Sequence, residues 1–438
     1  MHRINRESIK KSLPFVTSFI RWIKRRRTEL SALPRHIRRK TSQKKSRKLN
    51  YGIIKVVFLC QYIPAWSKNK QLYEALKRDD RFETMLLCVP SGISANQLLD
   101  QEDLSNDTYD YFSAHGYKDA VNALVGKNKW LDLKAWRPDY VICNRYDRPM
   151  PIPYTSAELA KYAKVCLILY SGIALLPIDE TLFDKGFVAN TFCFFAESEG
   201  KKKEVLRCNS ILSKLRLSNA VCCGIPAVEN ACTAEHDPCE TWDFSNNSFR
   251  AIYAPRWTTD PTWGGSSFLK YRDSFFKLAD KHPEIAFLVR PHPLMFDNFV
   301  NNKLMTAEEV FVYRDACAAR PNFRVDETKE YHATFWQSSV LICDFSSIIV
   351  EYYVTKKPIV YLTYDEKIEF TEMMRAMLSG CYLVHNEEEL ASTLEDLAAG
   401  NDPLEERRAE VCRQYLLEED NGMASENMKR FLLNHYKD

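Results

Sequence analysis

The chain of 438 residues contains no run of about 20 apolar residues, the length that a membrane-spanning helix needs. Residues 14–23 are apolar but short, and Lys24-Arg25-Arg26-Arg27 follows them directly, so no signal-peptide core is expected. The 14 cysteines form no Cys-x-x-Cys pair and no Cys/His spacing typical of a metal site. Their scatter through predicted strands and helices is typical of reduced, buried thiols in a cytosolic protein. We therefore expect no structural metal and no cofactor.

Basic residues are concentrated at the N-terminus. Residues 1–50 hold 17 Lys and Arg against two acidic residues, a net charge of +15 in a chain whose total is +3, which leaves −12 for the remainder. The same segment places apolar residues at helical spacing with aromatic residues beside them: Ile9, Leu13, Val16, Ile20, Ile23, Phe15, Phe19 and Trp22. We predict that residues 1–50 form a basic, amphipathic arm on an anionic membrane surface, at the cytoplasmic face.

Two other interpretations of the arm stay open. A solvated, disordered tail has a similar composition, and a basic segment is also typical of nucleic-acid binding. The acidic remainder of the chain argues against the second, so no nucleic-acid partner is expected.

Short apolar runs alternate with helical stretches from residue 51 onward, which is typical of α/β folds. A polar stretch at 230–247 separates two such series, and 438 residues exceed the usual size of one core. We predict an N-terminal domain at 51–235, a C-terminal domain at 248–415 and a C-terminal helix at 416–438. The predicted strands lie at 53–60, 84–89, 139–143, 164–169, 192–196, 250–254, 285–290, 340–343 and 359–362.

A polar turn, Asp344-Phe345-Ser346-Ser347, stands between a predicted strand and a helix that begins at Ile348. Unpaired amides and the helix dipole favour a phosphate at such a turn, and small hydroxyls add hydrogen bonds. The alternative is that Asp344 or Ser346 only caps the helix. For Asp344, we favour capping over orienting His292.

A second turn, Arg290-Pro291-His292-Pro293, follows the predicted strand at 285–290. The two prolines fix the backbone around His292, and ligands of open α/β sheets bind where strands end. Arg290 and His292 can therefore clamp a diphosphate as fixed donors. A solvated or structural histidine is the alternative.

In this order the motifs resemble the C-terminal half of the CDP-glycerol glycerophosphotransferase family, the teichoic-acid primases and polymerases. Glu351 and the segment 356–361 (KKPIVY) continue the pattern. Three flanking segments also fit, at 224–229 (GIPAVE), 251–257 (AIYAPRW) and 420–425 (DNGMAS). The resemblance covers residues 51–430 and is more specific in the C-terminal half.

The resemblance implies a GT-B-like fold, in which two Rossmann-like domains face a cleft and the C-terminal domain binds the nucleotide donor. It implies transfer of glycerol phosphate, or a related polyol phosphate, from CDP-glycerol to a polymer or lipid-linked acceptor, with release of CMP. Ser346 and Ser347 would hold the phosphate, and Glu351 would accept hydrogen bonds from the ribose unless it only caps or pairs on the helix. The implied donor site is Arg256, Arg290, Asp344, Ser346, Ser347 and Glu351, with His292 beside the diphosphate.

The chain departs from the family pattern in the N-terminal half. Many members carry His-Gly-Thr there, whose His is thought to be the general base; the corresponding segment 169–173 (LYSGI) has none. No His occurs between His115 and His236, and Asp147 is our predicted substitute, catalytic together with His292. Arg256 stands where some relatives have His, and it can bind phosphate but not act as a base near neutral pH.

These departures keep three hypotheses open. The first is a polyol-phosphate transferase for wall or capsule polymers. The second is a GT-B glycosyltransferase that uses a nucleotide sugar, since one fold serves both donors. The third is a catalytically weak scaffold that keeps the nucleotide pocket.

Overall fold

The computed structural model describes residues 14–92, 105–127, 129–145, 149–168, 175–176, 186–260, 265–328, 330–363, 369–416 and 423–438. Asp147 and residues 169–173 lie outside these ranges. The chain divides into two compact units. Unit 1 comprises Met1–Tyr170, Asp179–Pro226 and Asn421–Asp438, and unit 2 comprises Ser171–Ile178 and Ala227–Asp420.

Unit 1 is built on a parallel sheet of seven strands: Ile54–Cys60 (β1), Phe82–Cys88 (β2), Ala120–Asn122 (β3), Tyr140–Cys143 (β6), Lys164–Ile168 (β7), Cys193–Ala196 (β9) and Asn219–Cys222 (β10). Their spatial order is β10-β9-β7-β6-β1-β2-β3, and a separate antiparallel pair is formed by Leu124–Gly126 (β4) and Lys129–Trp130 (β5). Along β1, Val57 and Leu59 enter one hydrophobic core while Val56 and Phe58 enter another. Both faces of the sheet are therefore covered, which explains why its strands read as continuous apolar runs.

Unit 2 has a parallel sheet of six strands: Phe249–Ala254 (β11), Ile285–Val289 (β12), Phe323–Val325 (β13), Val340–Cys343 (β14), Ile359–Leu362 (β15) and Tyr382–Val384 (β17). Their order is β13-β12-β11-β14-β15-β17. The segment Ser171–Ile178 adds Leu175–Leu176 (β8), which pairs antiparallel with Glu369–Phe370 (β16). The core of this unit packs Tyr253, Phe275 and Phe287 around the central strands.

Helices flank both sheets. In unit 1 they are Pro14–Leu49 (α1), Lys70–Lys77 (α2), Asp107–Ala114 (α3), Leu133–Trp136 (α4), Ser156–Leu159 (α5), Phe187–Asn190 (α6), Glu199–Cys208 (α7), Ser210–Lys214 (α8) and Ala424–Asn434 (α18). From the junction of the units onward they are Pro226–Thr233 (α9), Phe268–Lys281 (α10), Met295–Asn301 (α11), Ala307–Ala318 (α12), His332–Gln337 (α13), Ile348–Tyr352 (α14), Glu372–Leu378 (α15), Glu387–Ala398 (α16) and Glu405–Tyr415 (α17). Short 3-10 helices lie at Ile63–Lys68, Ile152–Tyr154 and Tyr353–Thr355.

Each sheet has one point where the strand order reverses direction. In unit 1 this switch point lies between β1 and β6, and in unit 2 it lies between β11 and β14. Ligands of open α/β sheets bind beyond the carboxyl ends of the strands at such a point. The fold thus places residues after Cys60, Cys143, Ala254 and Cys343 where binding is expected.

The predicted division of the chain needs correction at two places. The compact units part after Pro226, not within 230–247, because α9 already belongs mainly to unit 2. The C-terminal helix is not a separate element but part of unit 1. Tyr140 donates its hydroxyl to the Leu432 carbonyl at 2.7 Å, and the rings of Phe195 and Phe431 lie 5.6 Å apart.

Within the predicted N-terminal arm, Pro14–Leu49 form the helix α1, which belongs to unit 1 and is not a separate module. One face of α1 is buried, and its members recur every three or four residues: Glu29, Ala32, His36, Arg39 and Gln43. Glu29 accepts hydrogen bonds from the amides of Ile211 and Leu212 at 2.8 and 3.2 Å. The sequence did not reveal this face because it is polar, and its partners come from distant segments. Among the described residues, no helix is long and apolar enough to cross a bilayer.

Candidate functional site

The carboxylate of Asp344 connects the neighbouring segments at the switch point of unit 2. The backbone N–H of Arg256, just after β11, donates to this carboxylate at 2.9 Å. Ser267, which precedes α10, donates its N–H at 2.7 Å and its hydroxyl at 2.8 Å. One buried side chain therefore fixes two strand ends and the start of a helix.

Asp344 is fully buried, and burial raises its pKa to about 6, although hydrogen bonds from Ser267 and Arg256 oppose the rise. The favoured expectation that Asp344 caps the helix that follows it needs correction. Its described partners lie at the start of α10 and after β11, and the bond to the α14 start comes from Ser346, whose hydroxyl accepts the Ile348 N–H at 3.4 Å. Because the carboxylate of Asp344 has no exposed surface, it does not meet a ligand directly. Its role is to position the segments that form the site.

His292 is held by its turn as the two prolines predict. Its N–H donates to the Pro255 carbonyl at 3.4 Å, and its Nδ1 accepts the Leu294 N–H at 3.1 Å. Because Nδ1 is an acceptor, the neutral ring carries its proton on Nε2. Burial, and then the nearby charge of Arg256, lower the pKa of His292 to about 4. At neutral pH the imidazole is uncharged and presents an N–H donor.

Arg256 lies half-buried in the turn between these two groups. Its guanidinium carbon is 4.6 Å from the centroid of the Phe345 ring, and Nη1 donates to the Phe345 carbonyl at 3.3 Å. Its positive charge lowers the pKa of both His292 and Asp344. This cation is therefore shared by the two predicted phosphate-binding turns.

Arg290 is largely engaged by other residues of unit 2. Its guanidinium forms an ion pair with the buried Asp326 and donates to the Thr328 carbonyl at 2.6 Å. The guanidinium carbon also lies 4.3 Å from the centroid of the Tyr331 ring. The predicted contact with a diphosphate stays a prediction, and the observed bonds show how the side chain is held.

Glu351 is buried, not on an exposed helix face. Its Oε2 accepts a hydrogen bond from the Tyr331 hydroxyl at 2.7 Å and lies 2.8 Å from Nε2 of His332. Nδ1 of His332 is 3.0 Å from the Asn230 amide nitrogen. Tyr331 therefore connects Glu351 to Arg290, and the ribose contact predicted for Glu351 stays a prediction.

The two serines of the turn differ in exposure. Ser347 is exposed and is the last residue before α14, while Ser346 is partly exposed. The carbonyls of both accept the first amide bonds of the helix, from Ile349 at 3.3 Å and Val350 at 3.1 Å. Both serines directly follow Phe345, whose carbonyl accepts a hydrogen bond from Arg256.

The described part of unit 1 contains a carboxylate that the sequence analysis missed. Glu197 follows β9 at the carboxyl edge of the sheet and is partly exposed. Burial raises its pKa to about 7, although the charges of Lys201 and Lys68 oppose the rise. A signal was present in the sequence, since an acidic residue ends an apolar strand with a lysine four positions later.

Two family-like segments of unit 1 meet in the structure. Gly224 has a φ of +90°, and a Cβ on it would lie 3.6 Å from that of Ala424. Asn427 donates to the Cys223 carbonyl at 3.3 Å. The Gly-x-Pro segment and the helix after residue 422 therefore form one structural contact. Within the described ranges, no group of three or more His, Cys, Asp and Glu side chains could hold a metal ion.

Unit 2 thus brings together Arg256, His292 and Asp344, with Ser346 and Ser347 on the adjoining turn, while Tyr331 links Arg290 to Glu351. Ser267, Tyr331 and His332 were not predicted from the sequence. Each of them serves a predicted residue through a contact between distant segments. No local pattern marks such a contact.

Comparison with solved structures finds the same fold elsewhere. The wall teichoic acid polymerase TagF has a TM-score of 0.55 at 15% identity, over 95% of this chain and 98% of TagF. A TagF variant soaked with CDPG gives 0.52 at 15% identity, over 93% and 98%. UDP-GlcNAc 2-epimerase from Neisseria meningitidis, bound to UDP-GlcNAc, gives 0.57 at 14% identity, over 87% and 100%. The predicted α/β, GT-B-like fold class is confirmed.

Comparison of the sequence with curated proteins finds no match. The profile of a protein family, CDP-Glycerol:Poly(glycerophosphate) glycerophosphotransferase, matches residues 216–434. The match spans half of the chain and includes the turns that carry Arg256, His292 and Ser346. The predicted family is confirmed: the chain belongs to the CDP-glycerol:poly(glycerophosphate) glycerophosphotransferases.

Proposed function

We propose that this chain transfers glycerol phosphate, or a related polyol phosphate, from CDP-glycerol to a hydroxyl of a polymer or lipid-linked acceptor, in the synthesis of a cell-wall or capsular polymer. The observation that carries the proposal is the family match over 216–434, which contains both phosphate-binding turns. The switch point at which these turns lie supports it, because open α/β sheets bind nucleotides there.

The donor diphosphate is proposed to lie against His292 and Arg256. His292 offers a neutral N–H at Nε2, while Arg256 supplies positive charge beside it. Ser346 and Ser347 add hydroxyl donors on the neighbouring turn. Arg290 and Glu351 are proposed to meet the diphosphate and the ribose at the edges of the site, held there by Asp326 and Tyr331.

The reaction proposed is an attack by the acceptor oxygen on the phosphorus that carries glycerol. The bond from that phosphorus to the CMP oxygen breaks, and CMP leaves with the bonding electron pair. Phosphoryl transfer depends mainly on positioning and on donors directed at the developing charge. His292 and Arg256 are proposed to stabilise the charge on the leaving phosphate.

The test is to incubate the full chain with CDP-glycerol and a synthetic glycerol phosphate oligomer, and to measure CMP release. We expect CMP release that depends on the oligomer, and no UDP release when UDP-GlcNAc replaces CDP-glycerol. UDP release without CMP release would favour a glycosyltransferase. Tight CDP-glycerol binding without turnover would favour the scaffold hypothesis.

The N-terminal helix is proposed to hold the protein peripherally on the cytoplasmic face of an anionic membrane. Large apolar side chains are exposed along α1, namely Phe19, Ile20, Trp22, Leu30 and Ile37, with basic residues between them. An amphipathic helix of this kind binds by burying apolar area and by attraction to anionic lipids. The polar stripe of α1 is buried in unit 1, which supports a role for the exposed residues in the proposed membrane contact.

A further inference from the structure

Arg39 lies on the buried face of α1 and is 0% exposed. Burial lowers the pKa of its guanidinium to about 10, so the group still carries its charge at neutral pH. A charge held away from water destabilises a fold strongly unless a charge of the opposite sign and further hydrogen bonds compensate it. The partners of Arg39 therefore decide whether this position is purely structural.

The contacts that Arg39 makes are with neutral groups. Its Nη1 lies 2.9 Å from Nδ1 of His36, whose Nε2 donates to the Ala189 carbonyl at 2.8 Å. Nδ1 is therefore the acceptor, and the imidazole is neutral because burial, and then the charge of Arg39, lower the pKa of His36 to about 4. The guanidinium carbon also lies 4.7 Å from the centroid of the Phe192 ring, which attracts a cation but has no net charge. Neither contact supplies the missing negative charge.

One edge of the Arg39 guanidinium has no acceptor. Its Nε and Nη2 donate to none of the residues that the structure describes. These two nitrogens point their hydrogens in parallel and match two oxygens of one carboxylate or phosphate. Arg81 uses the same edge to bind both carboxylate oxygens of Asp79, at 2.8 and 2.6 Å. Arg320 binds Asp280 in the same way, at 2.7 and 3.0 Å.

A second buried cation lies against the same aromatic ring. Lys164, the first residue of β7, is 1% exposed, and its Nζ is 5.0 Å from the centroid of Phe192. Burial, and then the charges of Arg47 and Arg39, lower its pKa to about 7. The carboxylate of Asp139 accepts a backbone N–H from β1 at 3.0 Å and forms no ion pair with Arg39 among the described residues. Positive charge is therefore in excess around Phe192.

We propose that the Nε and Nη2 edge of Arg39 binds a small oxyanion of the phosphate type within unit 1. Two oxygens of the anion accept the hydrogen bonds of Arg39, and the neighbouring charge of Lys164 favours a dianion over a singly charged carboxylate. Because Arg39 lies on α1 and Phe192 directly precedes β9, the anion stabilises the attachment of α1 to the sheet. The site belongs to unit 1 alone and does not depend on the proposed transferase function.

The experiment measures the urea midpoint of the full chain as potassium phosphate replaces potassium chloride at constant ionic strength. Every protein carries His292→Ala, so that phosphate bound at the proposed donor site contributes little. The parent is compared with Arg39→Met and with Arg38→Met, a control that removes an exposed charge from the next position of α1. Phosphate also stabilises proteins in general, but that effect does not saturate and is common to all three.

We expect phosphate to raise the midpoint of the parent and of R38M along a saturating curve, as a ligand that binds only the folded state does. In R39M the phosphate concentration for half of this rise should increase at least about tenfold, because two charge-assisted hydrogen bonds are lost. R39M should fold, since replacing an uncompensated buried charge by an apolar side chain is often neutral or stabilising.

Two results overturn the inference: a parent without a saturating rise, or a rise that R39M retains unchanged. If R39M does not fold, Arg39→Lys takes its place, because lysine keeps the charge but lacks the two parallel hydrogens. R39K should lose the saturating rise, and an R39K protein that retains it also overturns the inference. The measurement needs no CDP-glycerol, so its failure is distinct from a failure of the CMP-release test.

Discussion

Arg256 donates its backbone N–H to the buried carboxylate of Asp344 at 2.9 Å, and this bond joins the ends of β11 and β14. The bond sets the position of the Arg256 turn, and the charge of Arg256 in turn lowers the pKa of His292. A side chain with no exposed surface thus controls the electrostatics of the proposed diphosphate site.

Asp344 should make stability depend on pH. Its pKa is about 6 when folded, against the usual 3.8, so between these values the folded state holds a proton that the unfolded state has lost. The free energy of unfolding therefore falls as the pH rises from about 4 to about 6, by up to about 3 kcal/mol. Asp344→Asn cannot ionise and should lack this fall.

The measurement is urea unfolding of wild type and D344N at several pH values. Their difference removes the contribution of His292, whose lowered pKa makes stability rise with pH over a similar range. Asp273→Asn is the control, since that carboxylate is 75% exposed on α10. A wild-type minus D344N difference that is constant with pH would contradict the expected burial of a titrating carboxylate.

His292→Ala should weaken donor binding and turnover. Removing one hydrogen bond to a charged phosphate costs about 1.5–3 kcal/mol, so CDP-glycerol affinity should fall at least tenfold. Calorimetry with CDP-glycerol measures this, with His385→Ala as the control because that imidazole is 65% exposed. If H292A binds and turns over CDP-glycerol like wild type, the site assignment is wrong.

Glu351→Ala should destabilise unit 2 strongly. It leaves the buried His332 and the Tyr331 hydroxyl without their shared acceptor, at a cost of about 3 kcal/mol. Glu351→Gln keeps an acceptor oxygen and should recover part of the loss. The free energy of unfolding from urea titration distinguishes these variants, with the exposed Glu388→Ala as the control. Equal stabilities for E351A and E388A would show that the buried network contributes nothing.

The exposed aromatic residues of α1 should determine membrane binding. Replacing Phe19 and Trp22 by Ser removes two side chains that are each more than half exposed, so the fold is expected to stay intact. Because each aromatic side chain contributes about 1.5–3 kcal/mol when buried in an apolar phase, binding should fall at least tenfold. Sedimentation with phosphatidylglycerol vesicles measures the partition.

The matched control for that experiment is Phe311→Ser with Val312→Ser, a similarly exposed pair on α12 of unit 2. Substitution is preferable to deletion of residues 1–48, because deletion would also remove the buried face of α1 from unit 1. Equal vesicle binding by both double variants would show that α1 does not anchor the protein.

Local patterns predicted the elements of the fold well. The strands Val340–Cys343 and Ile359–Leu362 have the predicted bounds. These segments have clear periodicity or continuous apolar runs, since parallel strands are buried on both faces. The Arg290-to-Pro293 turn and the Asp344-to-Ser347 turn also lie after strands, as expected.

Contacts between distant segments were not predictable. Asp344 pairs with Ser267, 77 positions away, and Glu29 caps a helix 182 positions away. Neither partner is marked by spacing or composition, so Asp344 was expected to serve its own helix and Glu29 was counted as part of an arm on a membrane surface.

The sequence by itself determined the alternation of strands and helices, the family and the two turns that carry the candidate donor site, because these depend on residues that are close in the chain. Only the tertiary structure decided what each polar side chain bonds to. In the folded protein Asp344 and Glu351 are buried, and Arg290 forms an ion pair with Asp326. One face of the basic N-terminal helix is buried within unit 1. The physical reason is that burial makes polar groups pair, and their partners are selected by the packing of whole elements.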